Sequence, residues 1–159
     1  CPDFTRTPSP DRPAFRLDKV EFYKEFRVLD YTALAIPVAH SVPAAGFEVS
    51  SGSLKLFYTG DTGVGIGRAW KHIMPDVLLT EVTFGNENES KAVAVGHLTP
   101  AHLGEALGRF QDLHGYLPRV IVSHMNSPWE EAVREELKAL SAELDIEITV
   151  SHADMTVQL

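Results

Sequence analysis

The spacing of apolar residues changes period around Asp61, and that change limits the folds open to the chain. Just before it, Leu54 to Tyr58 in LKLFYTGDTG reads as a buried strand that stops at Thr59-Gly60, because alternating and aromatic residues suit a pleated surface. Gly60 and Gly63 flank Asp61. They free the turn from the usual φ restriction, so the carboxylate can be aimed away from the sheet. Beyond Asp61, helical windows alternate with short, wholly apolar strands. A mostly β first part followed by helix–strand alternation predicts an α/β chain built on a mixed sheet with flanking helices.

Element by element, residues 1–14, CPDFTRTPSPDRPA, are rich in Pro, Ser and Thr and read as a connector or arm ahead of a domain over 15–159. Alternation from Phe15 to Leu29 predicts one or two half-buried strands, closed by Asp30. Tyr31 to Val38 is the next strand and delivers His40 at its tip. Gly46 to Ser50 follows and joins Leu54 to Tyr58 through SSGS as a hairpin. Gly65 to Ile73 has helical spacing ended by Pro75, and Val77 to Leu79 is a short apolar strand ending in Thr80-Glu81. FGNENESKAVAVG is expected to be a polar, mobile loop ending at His97. Thr99 caps a helix with Pro100 in the first position, and Ser127 caps another with Pro128 first and Glu130 three residues on. Between them Arg119 to Ser123 is a buried strand that delivers His124, and Ile146 to Val150 and Met155 to Gln158 are expected to close the sheet.

At 159 residues the chain can bury one sizeable core, and 44% hydrophobic with 23% charged residues is the balance of an ordinary globular protein. A formal net charge of −8 with no basic stripe argues against nucleic acid as a partner through general phosphate attraction. It leaves room for a small anion at a metal centre. The single cysteine, Cys1, excludes an internal disulfide framework, and no apolar run is long enough to cross a bilayer. A cytoplasmic location is expected. Because the first residue is Cys rather than Met, the start of the gene product is expected to lie upstream, where a targeting segment would be hidden.

Three groups thus stand at the ends of three strands: His40, Asp61 and His124. Imidazole and carboxylate at such positions can ligate a divalent metal. Equally, a strand-end histidine can bond backbone and Asp61 can cap its own turn. The long spacings do not choose between the two.

The ordered segments HSVPAAGF, FYTGDTG, DVLLTEVTF, GHLTPAHLGEAL and VIVSHMN resemble the second half of the metallo-β-lactamase superfamily. They are most similar to the branch holding RNase Z and the class II cyclic-nucleotide phosphodiesterases, toward which GHLTP, SHMNSP and PDFT lean. The resemblance implies the C-terminal portion of an αββα sandwich and a binuclear centre, with two Zn2+ ions expected and Mn2+ or Fe2+ as substitutes. It assigns His40 to one zinc, Asp61 to the bridge between two, and His124 to the second. His97 matches a histidine near the scissile phosphate, a candidate for proton donation or phosphate contact. The implied reaction is hydrolysis of a small cyclic or nucleotide-like phosphodiester by metal-generated hydroxide. The alternatives are lactone or thioester hydrolysis on the same scaffold, or a non-catalytic half-fold that pairs with another chain.

Two departures matter. RNase Z carries a histidine where this chain has Thr80, and its tRNA-gripping arm has no counterpart, which counts against tRNA processing. The family's first half also carries an HxHxDH cluster, and none occurs here: His72, His102, His114 and His152 are isolated. The chain is therefore expected either to be a C-terminal piece that pairs with the missing N-terminal half, with another chain or with a second copy, or to be a degenerate relative. Alone it is expected to bind zinc weakly.

Overall fold

A computed structural model describes residues 8, 9, 12, 13 and 18–158. Most of the expected connector therefore lies outside the described residues. Within it, β1 (Pro8–Ser9) pairs antiparallel with β2 (Arg12–Pro13). The remaining strands form one seven-stranded sheet in chain order: β3 (Glu25–Val28), β4 (Tyr31–Val38), β5 (Ala44–Ser51), β6 (Leu54–Tyr58), β7 (Val77–Glu81), β8 (Arg119–Ser123) and β9 (Ile148–Val150). Neighbours from β3 to β6 run antiparallel, joined by tight turns such as Gly52-Ser53, where Gly52 has φ +60°. From β6 to β9 they run parallel, as helical crossovers require. The sheet is thus mixed, with its change of direction at Asp61.

Two faces follow from the register. Phe57, Leu78 and Val120 lie side by side across β6, β7 and β8. They join Trp70, Leu103, Leu107, Phe110 and Leu137 from the helices in one core. Those helices are α2 (Pro100–His114) and α3 (Glu130–Leu144), with a 3-10 segment over Ile66–Lys71. The opposite face carries Phe26, Phe47, Val49, Leu56, Tyr58 and Leu79. None of these belongs to the helix-packed core, and Tyr31 and Tyr58 remain 47% and 45% exposed.

Several expectations need correction. Among the described residues the 15–29 segment forms one strand, β3, within the expected one or two but mostly exposed rather than half-buried; ahead of it Tyr23 turns at φ +63° and donates its N–H to Ala35 O. The expected loop over 84–96 is instead a 3-10 turn at Asn86–Asn88 and a helix, α1 (Glu89–Val95). Gly96 ends that helix at φ +80°, the left-handed stop that glycine permits. The Gly65–Ile73 window is a 3-10 segment. Ser127 does not cap α3: a 3-10 turn over Ser127–Trp129 precedes it, with Asn126 at the N-cap and no side-chain cap bond. The closing strand is only β9, since Asp145 turns at φ +53°, and 155–158 have no strand partner. Thr99 does cap α2, its hydroxyl accepting from His102 N while His102 Nδ1 accepts from Thr99 N.

Candidate metal centre

The ends of β4, β6, β7 and β8 and the turn after α1 meet at one edge of the sheet. His40 lies just past β4, Asp61 past β6, Glu81 closes β7, His97 follows α1, and His124 follows β8. Ligand atoms of His40, Asp61 and His97 lie within 4.8 Å of one another, and so do those of Glu81, His97 and His124. His97 belongs to both groups and joins them. Its ring centroid is 5.0 Å from that of His40 and 5.6 Å from that of His124. His124 Nδ1 lies 3.2 Å from Asp61 Oδ1, both side chains about half exposed.

Local backbone explains the convergence. Gly60 takes φ +61°, a left-handed turn that sends Asp61 outward. Gly63 has a different role from the one its sequence position suggests: a Cβ there would sit 2.8 Å from the Gly96 carbonyl carbon, so it permits close approach. Gly96 is equally confined, a Cβ there meeting Ser41 N at 2.6 Å. This contact between glycines sets the Asp61 and His97 loops against the His40 loop. Gly63 N and Thr62 Oγ1 both donate to Ala39 O, and Gly96 O faces His40 Nδ1 at 2.8 Å. His124 holds φ +56° without being glycine, a conformation that costs roughly 1–2 kcal/mol and persists only where its surroundings enforce it.

Glu81 organises the interior of this edge and was not singled out from sequence. It is 2% exposed. Its Oε1 accepts from Thr62 N at 3.1 Å and from His97 Nδ1 at 2.6 Å. Its Oε2 accepts from Thr83 Oγ1 at 2.7 Å, Thr83 N at 3.1 Å and Leu98 N at 3.3 Å. A buried carboxylate is tolerated only when its lone pairs are met, and here they are met by donors from the Asp61, His97 and Thr83 loops. The signal available in the sequence was an acid at the end of a wholly apolar strand, where a solvated residue would not be expected.

The fit to a metal can be judged from the imidazoles. Glu81 occupies Nδ1 of His97 and Gly96 O occupies Nδ1 of His40. Each ring then donates from Nδ1 and presents its Nε2 lone pair, the outer-shell arrangement that orients histidine ligands. With Asp61 and His124 alongside, the donor set is of nitrogen and oxygen, the kind suited to zinc. The other histidines stand apart from it. His102 is in the α2 cap, His114 Nε2 bonds Trp70 O at 2.8 Å, and His72 stacks on Tyr23 at 4.5 Å.

Comparison with known proteins gives the same fold. The metallo-β-lactamase fold protein YhfI from Bacillus subtilis superposes with a TM-score of 0.70 at 14% identity, covering 86% of this chain and 53% of that one. The short form of human tRNase Z gives 0.58 at 23% identity, covering 84% of this chain and 44% of that one. Zn(2+)-bound PqqB from Methylobacterium extorquens gives 0.62 at 15% identity, with 88% and 55% coverage. This chain therefore spans about half the length of the solved structures it matches. No curated protein matches it in sequence. Residues 2–125 match the description "Beta-lactamase superfamily domain". With the mixed sheet and flanking helices already in place, the chain belongs to the metallo-β-lactamase superfamily.

Proposed function

We propose that the chain carries the C-terminal share of a zinc-dependent hydrolase site whose substrates are small phosphodiesters. One observation carries the reading: His40, Asp61, His97 and His124, far apart in sequence, bring ligand atoms to one sheet edge in two groups that share His97. In this reading His40, Asp61 and His124 would hold the metal. Bound zinc would supply Lewis acidity and hydroxide at neutral pH.

The chain's own residues do the rest. Glu81 keeps the proton on His97 Nδ1 and so fixes the ring. With Nδ1 engaged by Glu81, His97 Nε2 is the nitrogen left for proton transfer: on taking up a proton the ring becomes an imidazolium steadied by the Glu81 carboxylate, and it can return that proton to a leaving alkoxide. Thr83 Oγ1 can give its one proton to Glu81 Oε2 at 2.7 Å or to His124 O at 3.0 Å, which places the His124 backbone beside the same carboxylate. Thr80, where RNase Z has histidine, is buried at 1% exposure with its hydroxyl 3.2 Å from Thr59 Oγ1, so it is turned into the interior and away from any leaving group. This supports a small phosphodiester over tRNA.

A complete site in this reading needs the ligands of the other half of the fold, docked on the apolar face of Phe47, Leu56 and Leu79. The experiment is hydrolysis of bis(p-nitrophenyl) phosphate against a lactone by the full-length protein with added Zn2+ or Mn2+. Preferential diester cleavage is expected. Lactone cleavage alone would transfer the site to the alternative chemistry.

A further inference from the structure

Resting on the phosphodiester reading, we propose that Lys91 is the charge-selecting residue of this site, held by Phe84 and Trp129 so that it contacts the anionic group of the substrate. The Lys91 ammonium lies 4.6 Å from the Trp129 ring centroid and 5.4 Å from that of Phe84. The two rings are 5.1 Å apart, and Phe84 is 6.1 Å from the His97 ring, nearly edge-on. Each member comes from a segment that also supplies the centre. Phe84 follows Glu81 by three residues, Lys91 sits on α1, which leads into His97, and Trp129 ends the turn after His124.

Two further observations point to an external anion. First, no carboxylate among the described residues pairs with Lys91. The acids nearest to Lys91 in sequence are engaged elsewhere: Glu89 with His102 at 3.4 Å and Glu87 with Asn88 Nδ2 at 3.2 Å. Second, the chain carries a net charge of −8, and both Asp61 and Glu81 lie in the centre itself. An anionic substrate is repelled by that field and needs a local cation at the entrance, beyond any metal. An ammonium on a flexible stem can swing from the aromatic faces to an incoming oxygen, while the cation–π contacts keep it over Phe84, whose ring lies 6.1 Å from that of His97, in the free protein. A neutral lactone or thioester gains nothing from such a group, so Lys91 selects the charge of the substrate.

Trp129 provides the readout, because its emission senses the ammonium over its face. The 159-residue chain is titrated at constant ionic strength with dimethyl phosphate, an anionic diester that resists hydrolysis, and in parallel with neutral trimethyl phosphate. Dimethyl phosphate is expected to change the emission and trimethyl phosphate to leave it unchanged. Lys91→Met should weaken binding roughly fivefold, the worth of one exposed ion pair. Lys91→Arg should restore it, and Trp129→Phe should remove the signal while buried Trp70 stays silent. Added salt should weaken wild type and leave Lys91→Met unmoved. Equal binding by Lys91→Met, an equal response to the neutral triester, or no response from wild type would each overturn the proposal. Intact, Lys91-dependent dimethyl phosphate binding in a zinc-loaded full-length protein that cleaves no diester would fail the activity reading alone.

Discussion

Replacing Glu81 with glutamine separates the two duties of this carboxylate, because the side chain keeps its shape and loses its charge and its all-acceptor character. Five donors converge on Glu81: Thr62 N and His97 Nδ1 on Oε1, and Thr83 N, Thr83 Oγ1 and Leu98 N on Oε2. The amide NH2 must face one of these sets. It loses least by facing Oε1's pair, which leaves Thr62 N opposed by a donor. One buried unmet group costs about 1–3 kcal/mol, enough to lower Tm by about 2–12 °C in a chain of this size but short of unfolding a typical domain. The larger effect falls on His97. Facing an NH2 instead of a carboxylate, Nδ1 becomes the acceptor and the proton moves to Nε2, the atom turned toward the cluster. Diester hydrolysis by the zinc-loaded full-length protein should then fall roughly 10–100-fold, as when the outer-shell partner of a site histidine is removed. The assay pairs thermal unfolding without metal with diester hydrolysis and histidine 15N NMR. A Glu81→Gln protein with unchanged diester turnover and His97 still protonated at Nδ1 would refute the reasoning.

Further outcomes follow from individual contacts. Gly96→Ala places a Cβ 2.6 Å from Ser41 N at φ +80° and should cost about 2–5 kcal/mol in urea unfolding by combining overpacking with left-handed strain. Asp61→Ala should abolish diester hydrolysis in the full-length protein, whereas His102→Ala should spare it and cost only about 1 kcal/mol through the α2 cap; hydrolysis by Asp61→Ala would contradict its assignment. Burial, followed by the charges of Asp76 and Glu48, raises the pKa of Tyr116 above the ordinary phenol value, so its neutral form, donating to Pro75 O at 3.1 Å, is favoured in the fold. A group whose folded pKa exceeds its unfolded one contributes stability below the unfolded value and loses it as pH rises through the folded one. Stability should therefore fall above about pH 10, and Tyr116→Phe should flatten that fall in denaturant melts at stepped pH. The 159-residue chain alone should bind zinc weakly and cleave little diester; tight binding of two zinc ions in calorimetry would contradict this.

Strand placement was legible because β4, β6, β7 and β8 are apolar runs bounded by glycine or polar residues, and their ends locate His40, Asp61 and His124 directly. The rest depended on contacts between distant loops. The need for a bare Cα at Gly63 arises from Gly96, thirty-three residues away, and is invisible in FYTGDTG. Glu81 looked like the polar end of a strand, yet it is the shared acceptor of three loops. Helix α1 escaped notice because seven residues are too few to be stable by propensity alone. It is held by buried Ala92, whose carbonyl accepts from Gly96 N and His97 N. Met155 to Gln158 alternates like a strand, but among the described residues no neighbouring strand pairs with it.

Histidine side-chain 15N NMR during zinc titration tests the convergence most directly, because the seven histidines serve as their own controls. Zinc should move the resonances of His40, His97 and His124 together at one metal concentration and leave His72, His114 and His152 in place. Zinc that moves none of those three, or moves all seven alike, would show that this sheet edge does not gather a metal.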